Sequence, residues 1–315
     1  MGTPDFAKES LKALYEDNHN IIAVVTNPDK PKGRGMHMNI SPVKEFAEEK
    51  GIKIFQPIKI RNNTEFIDTI KGLNPDLLCV VAYGKILPKE LLEIPKYGAI
   101  NVHGSLLPKY RGAAPIQWAV INGEEVTGIT TMYMDEGMDT GDMILKEEVK
   151  ILPDETTGEL WNRLSIIGAK LLVETVRKVE NGTAPRIKQP EDGTLAPMLS
   201  KEIAKIDWDK SGKEIFNLIR GINPIMGAYS FVNNKKIKIW KAKYTSFSEC
   251  ADIDENEING FKNGTVVLSN PKKGLFIKVK DGVISILEIQ GENAKKMDIK
   301  SFLVGNNIEV NTVFE

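Results

Sequence analysis

Asp76-Leu77-Leu78-Cys79-Val80-Val81-Ala82 is apolar at every position after the first. A strand with one wet face would alternate apolar and polar residues. A short unbroken apolar run instead reads as a strand buried on both faces, the environment of a parallel sheet covered by helices. Working outward, residues 63–72 before it carry the spacing of an amphipathic helix, and residues 98–102 after it read as a second strand. Further upstream, 21–25 is an apolar run ending in Thr26-Asn27-Pro28, 41–50 is a helix with Pro42 in its first turn, and 52–55 is a strand. Further downstream, 113–121 reads as a helix, 127–134 and 143–151 as extended, and 156–181 as a long amphipathic helix closed by Gly182. This βαβ rhythm predicts an α/β domain with an open, mostly parallel sheet and helices on both faces.

The pattern changes after residue 182. Residues 183–199 hold Pro185, Pro190, Gly193 and Pro197 with little periodicity and read as a linker. A helix near 212–220 follows, then short β-rich runs at 229–232, 236–244, 265–269, 275–279 and 283–289, separated by Gly and Asn turns. That sequence of short strands predicts a small barrel. The expected organisation is a catalytic domain at 1–182, a linker at 183–204 and a second domain at 205–315. A chain of 315 residues suits two domains.

Composition narrows the classes. No apolar run approaches the roughly 18 residues of a membrane span, so no membrane partner is expected, and Met1-Gly2-Thr3-Pro4-Asp5 lacks the basic start and apolar core of a signal peptide. Two cysteines, Cys79 and Cys250, give neither a disulfide framework nor a zinc site, which points to a reducing cytoplasm and no metal. Net charge is −1, but residues 205–315 carry 17 Lys and Arg against 14 Asp and Glu, and five of those acids lie within 249–257. The surplus fits a surface that meets nucleic acid, and equally one of ordinary solvated lysines. Nothing in the pattern demands a subunit interface, so a monomer is expected.

The densest chemistry is in Ile100-Asn101-Val102-His103-Gly104-Ser105-Leu106-Leu107-Pro108. Strand alternation puts Asn101 and His103 on one face, at the carboxyl end of a parallel strand, where open α/β sheets place ligands. Asp135-Glu136-Gly137-Met138-Asp139-Thr140-Gly141-Asp142 is a turn-rich loop that can bring a carboxylate back over that end. Asn, His and Asp suit acyl transfer to an amine without a protein nucleophile. Asn101 and His103 can donate to the oxyanion of a tetrahedral intermediate, and Asp139 can orient His103 and take the amine's proton. Taken singly, His103 also suits a satisfied strand-end histidine and Asp139 a turn aspartate. The chain has no Gly-x-Ser-x-Gly elbow, against a serine acyl-enzyme, and no Gly-x-Gly-x-x-Gly, against a nicotinamide enzyme.

Asn101-Val102-His103 with Ser105-Leu106-Leu107-Pro108, then Arg111-Gly112-Ala113-Ala114-Pro115-Ile116 and Gly137-Met138-Asp139-Thr140-Gly141-Asp142, resemble the signature of the folate-dependent formyltransferases. Gly2-Thr3-Pro4-Asp5-Phe6-Ala7, residues 27–35 and Arg220-Gly221-Ile222-Asn223-Pro224 resemble the branch of that family acting on methionyl initiator tRNA, and the likeness covers nearly the whole chain. The resemblance implies a Rossmann-like catalytic domain, a C-terminal OB-like barrel that binds tRNA, and 10-formyltetrahydrofolate as formyl donor. It implies catalytic roles for Asn101, His103 and Asp139. It puts Ser105, Leu106, Leu107 and Pro108 against the folate, with Val81, Tyr83, Ile86 and Leu87 walling the pterin pocket, though these four also suit plain core and turn positions. Lys30, Lys32 and Arg34 place three cations within five residues on a Gly/Pro-punctuated loop, the candidate tRNA contact, with Arg34 foremost. A solvated loop is the plainer reading of so short a basic run.

Two other readings stand beside this one: a formyltransferase acting on an amino sugar nucleotide, and a non-catalytic RNA-binding relative. The intact Asn101/His103/Asp139 set opposes the second. The basic loop, the 220–224 motif and the net-positive C-terminal part favour tRNA over the first. One departure is clear. Members of the family open with a short hydrophobic strand before Gly-Thr-Pro, whereas this chain begins at Met1-Gly2. The expectation is that about five apolar, β-forming residues belong upstream in a central slot of the sheet, or that another segment fills it.

Overall fold

The computed structural model describes residues 1–32, 37–250 and 258–315. It contains two compact units, one of Met1–Ile116, Val126–Lys150 and Trp161–Pro197, the other of Gln117–Glu125, Ile151–Leu160 and Met198–Glu315.

The described elements up to residue 180 are α1 (Asp5–Glu16), β1 (Val24–Val25), β2 (Lys30–Lys32), β3 (His37–Asn39), α2 (Pro42–Glu49), β4 (Ile54–Phe55), α3 (Thr64–Leu73), β5 (Leu78–Val81), α4 (Lys89–Leu92), β6 (Ala99–His103), α5 (Pro115–Ile121), β7 (Val126–Tyr133), β8 (Met143–Lys150) and α6 (Thr157–Glu180). Local chemistry sets the helix ends. Ser41 caps α2 by accepting from the Lys44 amide, Pro42 occupies the first turn, and Asn63 caps α3 by accepting from the Phe66 amide. Asn74 closes α3 in the left-handed conformation. The apolar runs form the parallel pairs β1–β4 and β5–β6, and β7 and β8 extend the sheet antiparallel from β6. One face of β5 packs Leu78 and Val80 into a core with Phe66, Ile70, Leu87 and Leu91.

Two predicted strands come out shorter than their apolar runs. Residues 21–25 yield only Val24–Val25, and 76–82 only Leu78–Val81. The cause is the strip between them. Met1 and Gly2 occupy its carboxyl end: Gly2 donates to Val25 O and forms a parallel bridge with Val81, whose amide donates to Met1 O. The Met1 amino group donates to Cys79 O at 2.6 Å, and burial pushes its pKa down. Before it the strip is a cavity of about 620 Å³, lined by Ile22, Val24, Leu78, Cys79, Leu14 and Val176 among others. Among the described residues no other segment fills it. Without a neighbour, the strip-facing backbone groups of residues 21–23 and Leu77 have no ladder to join, although Asp76 O accepts from the Tyr97 amide on the other side.

The second unit carries α7 (Gly212–Gly221), β9 (Ala228–Val232), β10 (Lys235–Ser246), β11 (Val266–Asn270), β12 (Gly274–Val279), β13 (Gly282–Gln290), β14 (Met297–Asp298) and α8 (Ile299–Gly305). Its strands run in the order β11-β12-β13-β10-β9, all antiparallel, with β14 on β13. The tail joins both edges: Val266 donates to Thr312 O and Phe314 to Gly264 O, while Phe231 and Glu315 exchange backbone hydrogen bonds across β9. The predicted small barrel is thereby closed, which removes exposed strand edges. Ile239, Ile277, Ile284 and Ile286 fill it, with the Trp208 and Phe314 rings edge to face at 5.8 Å. α7 starts with a full capping box between Ser211 and Glu214.

Candidate active site

β6 delivers two residues to its carboxyl end. Asn101 and His103 share a face by alternation, and the His103 ring is almost wholly buried. The third member arrives on the loop between β7 and β8. Asp135 shapes that loop by accepting from the Gly137 amide and the Thr140 hydroxyl, and Asp139 sits in the left-handed region at φ 53°. One Asp139 oxygen, Oδ1, accepts from Asn101 Nδ2 at 3.4 Å. The other, Oδ2, accepts from the Gly112 amide at 2.8 Å and lies 3.5 Å from His103 Nδ1. The three residues picked out in the sequence are therefore brought together.

The far side of the imidazole decides its tautomer. His103 Nε2 lies 2.9 Å from Tyr110 O, and a carbonyl only accepts, so Nε2 carries the hydrogen. Nδ1 is left to face Asp139 and the open site. Nδ1 is the ring nitrogen nearest the carboxylate, 3.5 Å from Asp139 Oδ2. Asn101 Nδ2 and the His103 ring thus stand on either side of one acceptor, Asp139.

Residues 105–108 are clamped next to this trio. Thr130 Oγ1 accepts from the Leu107 amide at 3.1 Å and donates to Ser105 O at 2.7 Å, Ser105 Oγ donates to Lys109 O, and Lys146 Nζ donates to Leu107 O. Burial lowers the Lys146 pKa. Ser105 and Leu107 are fully buried, Leu107 against Met132 and Met143, while Leu106 and Pro108 are partly exposed. Of the other residues assigned to the folate, Val81 lines the cavity in the sheet and Tyr83 and Leu87 belong to the core beside β5. The Tyr83 hydroxyl has no hydrogen-bond partner among the described residues, and burial lifts its pKa to about 12. Ile86 alone of that group is strongly exposed, at 78%.

Lys30 and Lys32 of the basic stretch lie on a strand. β2 pairs antiparallel with β3, Lys30 opposite Asn39 and Lys32 opposite His37, with Lys30 exposed. Arg34 lies outside the described residues. Just before β2, Asp29 is held by Lys44 and Gln56, and the Lys44 ammonium keeps its carboxyl below the usual range. Lys85, whose pKa is lowered by burial and then by Lys30, donates to the carbonyls of Pro57 and Ile58. No group of three or more His, Cys, Asp or Glu among the described residues could hold a metal, and no described helix is long and apolar enough to cross a membrane.

Sequence reasoning missed the residues that hold the trio. The stretch 183–197 is tied along the first unit. Tyr110 donates to Thr194 Oγ1, the Arg111 amide donates to Thr194 O, the Ala196 amide donates to Arg111 O, Ala114 donates to Ala196 O, and Ile187 bridges Met143. Arg111 Nε donates to Gln189 Oε1, and Gln189 Nε2 donates to both Asp139 O and Gly141 O. No periodic pattern could have marked these, because most use backbone atoms far away in the chain.

A mixed sheet with an Asn/His/Asp cluster at the carboxyl end of its parallel pair, and a second unit built as a small antiparallel barrel, are the features that a two-domain acyl-transfer enzyme would present. Residues 1–176 match the formyl transferase family and residues 198–307 match the formyl transferase C-terminal domain, so the chain belongs to the formyl transferase family. It is 50% identical to the methionyl-tRNA formyltransferase of Clostridioides difficile over 99% of this chain and 98% of that one. It is 48% identical to the methionyl-tRNA formyltransferase of Caldanaerobacter subterraneus over 100% of this chain and 98% of that one. Among solved structures, it shares its fold with an N-formyltransferase from Helicobacter canadensis in complex with folinic acid and dTDP-3-aminofucose, at TM-score 0.64 and 20% identity over 94% and 97% of the two chains.

Proposed function

We propose that this chain transfers the formyl group of 10-formyltetrahydrofolate to the α-amino group of methionyl initiator tRNA. The observation that carries the reading is the convergence of Asn101, His103 and Asp139 in a chain about half identical, end to end, to enzymes of that name. The amine nitrogen attacks the formyl carbon and forms the new C–N bond. The carbonyl oxygen becomes an oxyanion that Asn101 Nδ2 and the His103 ring can stabilise. Asp139 takes the proton leaving the amine, directly or through water. Collapse of the intermediate breaks the bond to the folate nitrogen, which leaves with a proton. No covalent enzyme intermediate is required.

Each unit offers the tRNA a basic stretch. One is the stretch that carries Lys30, Lys32 and Arg34. The other is β10, which directs Lys235, Lys241 and Lys243 to solvent while Ile237, Ile239 and Ala242 point inward. On the same strand, Lys236 Nζ lies 3.5 Å from the centre of the Tyr229 ring, and Trp240 sits beside Lys238 and Lys296. Cations interleaved with rings suit contact with a nucleic-acid backbone and its bases.

The test offers 10-formyltetrahydrofolate with charged initiator tRNA or with an amino sugar nucleotide. Formylation of the tRNA alone is the expected result. Formylation of the sugar alone would replace this reading with its nearest alternative, and binding of tRNA without transfer would point to a non-catalytic relative.

A further inference from the structure

Gln189 lies in the stretch that the sequence marks only as aperiodic, yet the residue is only 7% exposed and its side-chain amide donates two hydrogen bonds and accepts one. Its two amide hydrogens go to Asp139 O and Gly141 O, each at 2.8 Å, and its oxygen accepts from Arg111 Nε at 3.0 Å. Arg111 is held in turn: Nη2 donates to Pro190 O at 2.8 Å, and its guanidinium sits where a Cβ on Gly193 would be, 2.6 Å from Cζ. The amide next to Arg111, that of Gly112, is the one donating to the Asp139 carboxylate. One side chain therefore bonds to the backbone of Asp139 and, through Arg111, to the segment that grips the Asp139 carboxylate.

Asp139 needs such a hold. Its left-handed backbone is uncommon for a residue with a Cβ, and the surrounding turn, from Asp135 to Thr140, is largely exposed. We propose that Gln189 is a positioning residue for Asp139: its paired donors hold the 139–141 backbone so that the carboxylate stands between Asn101 and His103. This rests on the formyl-transfer reading above. Gln189 touches neither substrate, and its effect passes through Asp139.

The experiment compares Gln189→Ala, Gln189→Glu, Asp139→Asn and the Gln189→Ala/Asp139→Asn double variant in single-turnover formyl transfer, with melting followed in parallel. Gln189→Ala should lower kcat by about tenfold to about 10²-fold, the scale of a misplaced catalytic group, with both KM values unchanged. Gln189→Glu keeps the shape and the Arg111 contact but turns an acceptor toward two carbonyls, and should lose at least as much. In the Asp139→Asn background, Gln189→Ala should cost little more. Full activity in Gln189→Glu, or losses that simply multiply in the double variant, would overturn the proposal. If the wild-type chain transfers no formyl group, the function reading fails and ring NMR still decides the positioning role. The chain has three histidines. The His103 ring signals should move in Gln189→Ala while those of His19 and His37 stay, and an unmoved His103 would overturn it.

Discussion

The two ends of one strand, β5, and of its neighbours are built to opposite specifications. At the carboxyl end, side chains and loops are hydrogen-bonded in a chain running Tyr110–His103–Asp139–Gly112, with Thr130, Lys146 and Gln189 fixing the flanking loops. At the amino end, β1 and β5 flank a cavity of about 620 Å³, and the Met1 amino group is buried at its edge. The contrast separates two quantities that usually travel together. Rate should depend on the first end and stability on the second.

The largest effect is expected at the amino end. A version extended before Met1 by about five apolar, β-forming residues places a strand in the slot. It gives the strip-facing backbone groups of residues 21–23 and of Leu77 partners worth roughly 1–3 kcal/mol each. At about 2–4 °C per kcal/mol, its Tm should rise by on the order of 10 °C or more, with kcat unchanged. Equal melting of the two versions at equal soluble yield would break the comparison.

Next in size, His103→Ala and Asp139→Asn should each lower kcat by about 10²–10³, or roughly 3–4 kcal/mol on the barrier, with little change in KM or Tm. A fall in Tm matching the fall in rate would show that the two ends are not separable.

Smaller is the effect of pH on stability. Burial holds the Met1 amino pKa below its ordinary 8.0, so at neutral pH the unfolded chain binds more protons than the folded one. The amino end therefore loses stability as pH falls below about 8.0 toward the folded value, and Tm should rise by a few degrees between mildly acidic and mildly alkaline buffer. The rise should disappear in the extended version, where that nitrogen is a peptide amide. Its persistence there would assign the titration elsewhere.

Smallest is Arg34→Ala, which belongs to neither end. It should raise KM for tRNA at low salt, reduce the slope of log affinity against log salt by about 1, and leave folate use and Tm alone. A changed Tm would tie the basic stretch to the sheet.

Much of this was legible because burial leaves a period. The apolar run after Asp76 and the strand read at 98–102 both sit in the sheet, the first as Leu78–Val81 and the second as Ala99–His103. Asn101 and His103 followed from strand alternation at a carboxyl end. Asp139 had only a turn to mark it until the family signature supplied its role. The helix α1 went unread, although Phe6, Ala7, Ser10 and Leu14 form a buried stripe at helical spacing, because it starts almost at the first residue with little sequence before it to frame it. The strand at 21–25 was read too long, since an apolar run records what a segment could bury and a ladder needs a neighbour. Gln189 could not be read: its acceptors are carbonyls 50 and 48 positions away, and any residue type could supply those.

Gly112 has a consequence for anyone mapping this site by substitution. Its φ of +119° and the 2.8 Å approach of Ala196 O to any added Cβ mean that every side chain placed there distorts the loop. A mutational scan would score the position as intolerant and file it under folding, although what it gives Asp139 is a single N–H. The two contributions separate through the main chain itself: an amide-to-ester exchange at residue 112 keeps the shape, deletes one charge-assisted donor worth roughly 1.5–3 kcal/mol, and so makes backbone chemistry the probe to which this contact with Asp139 is visible.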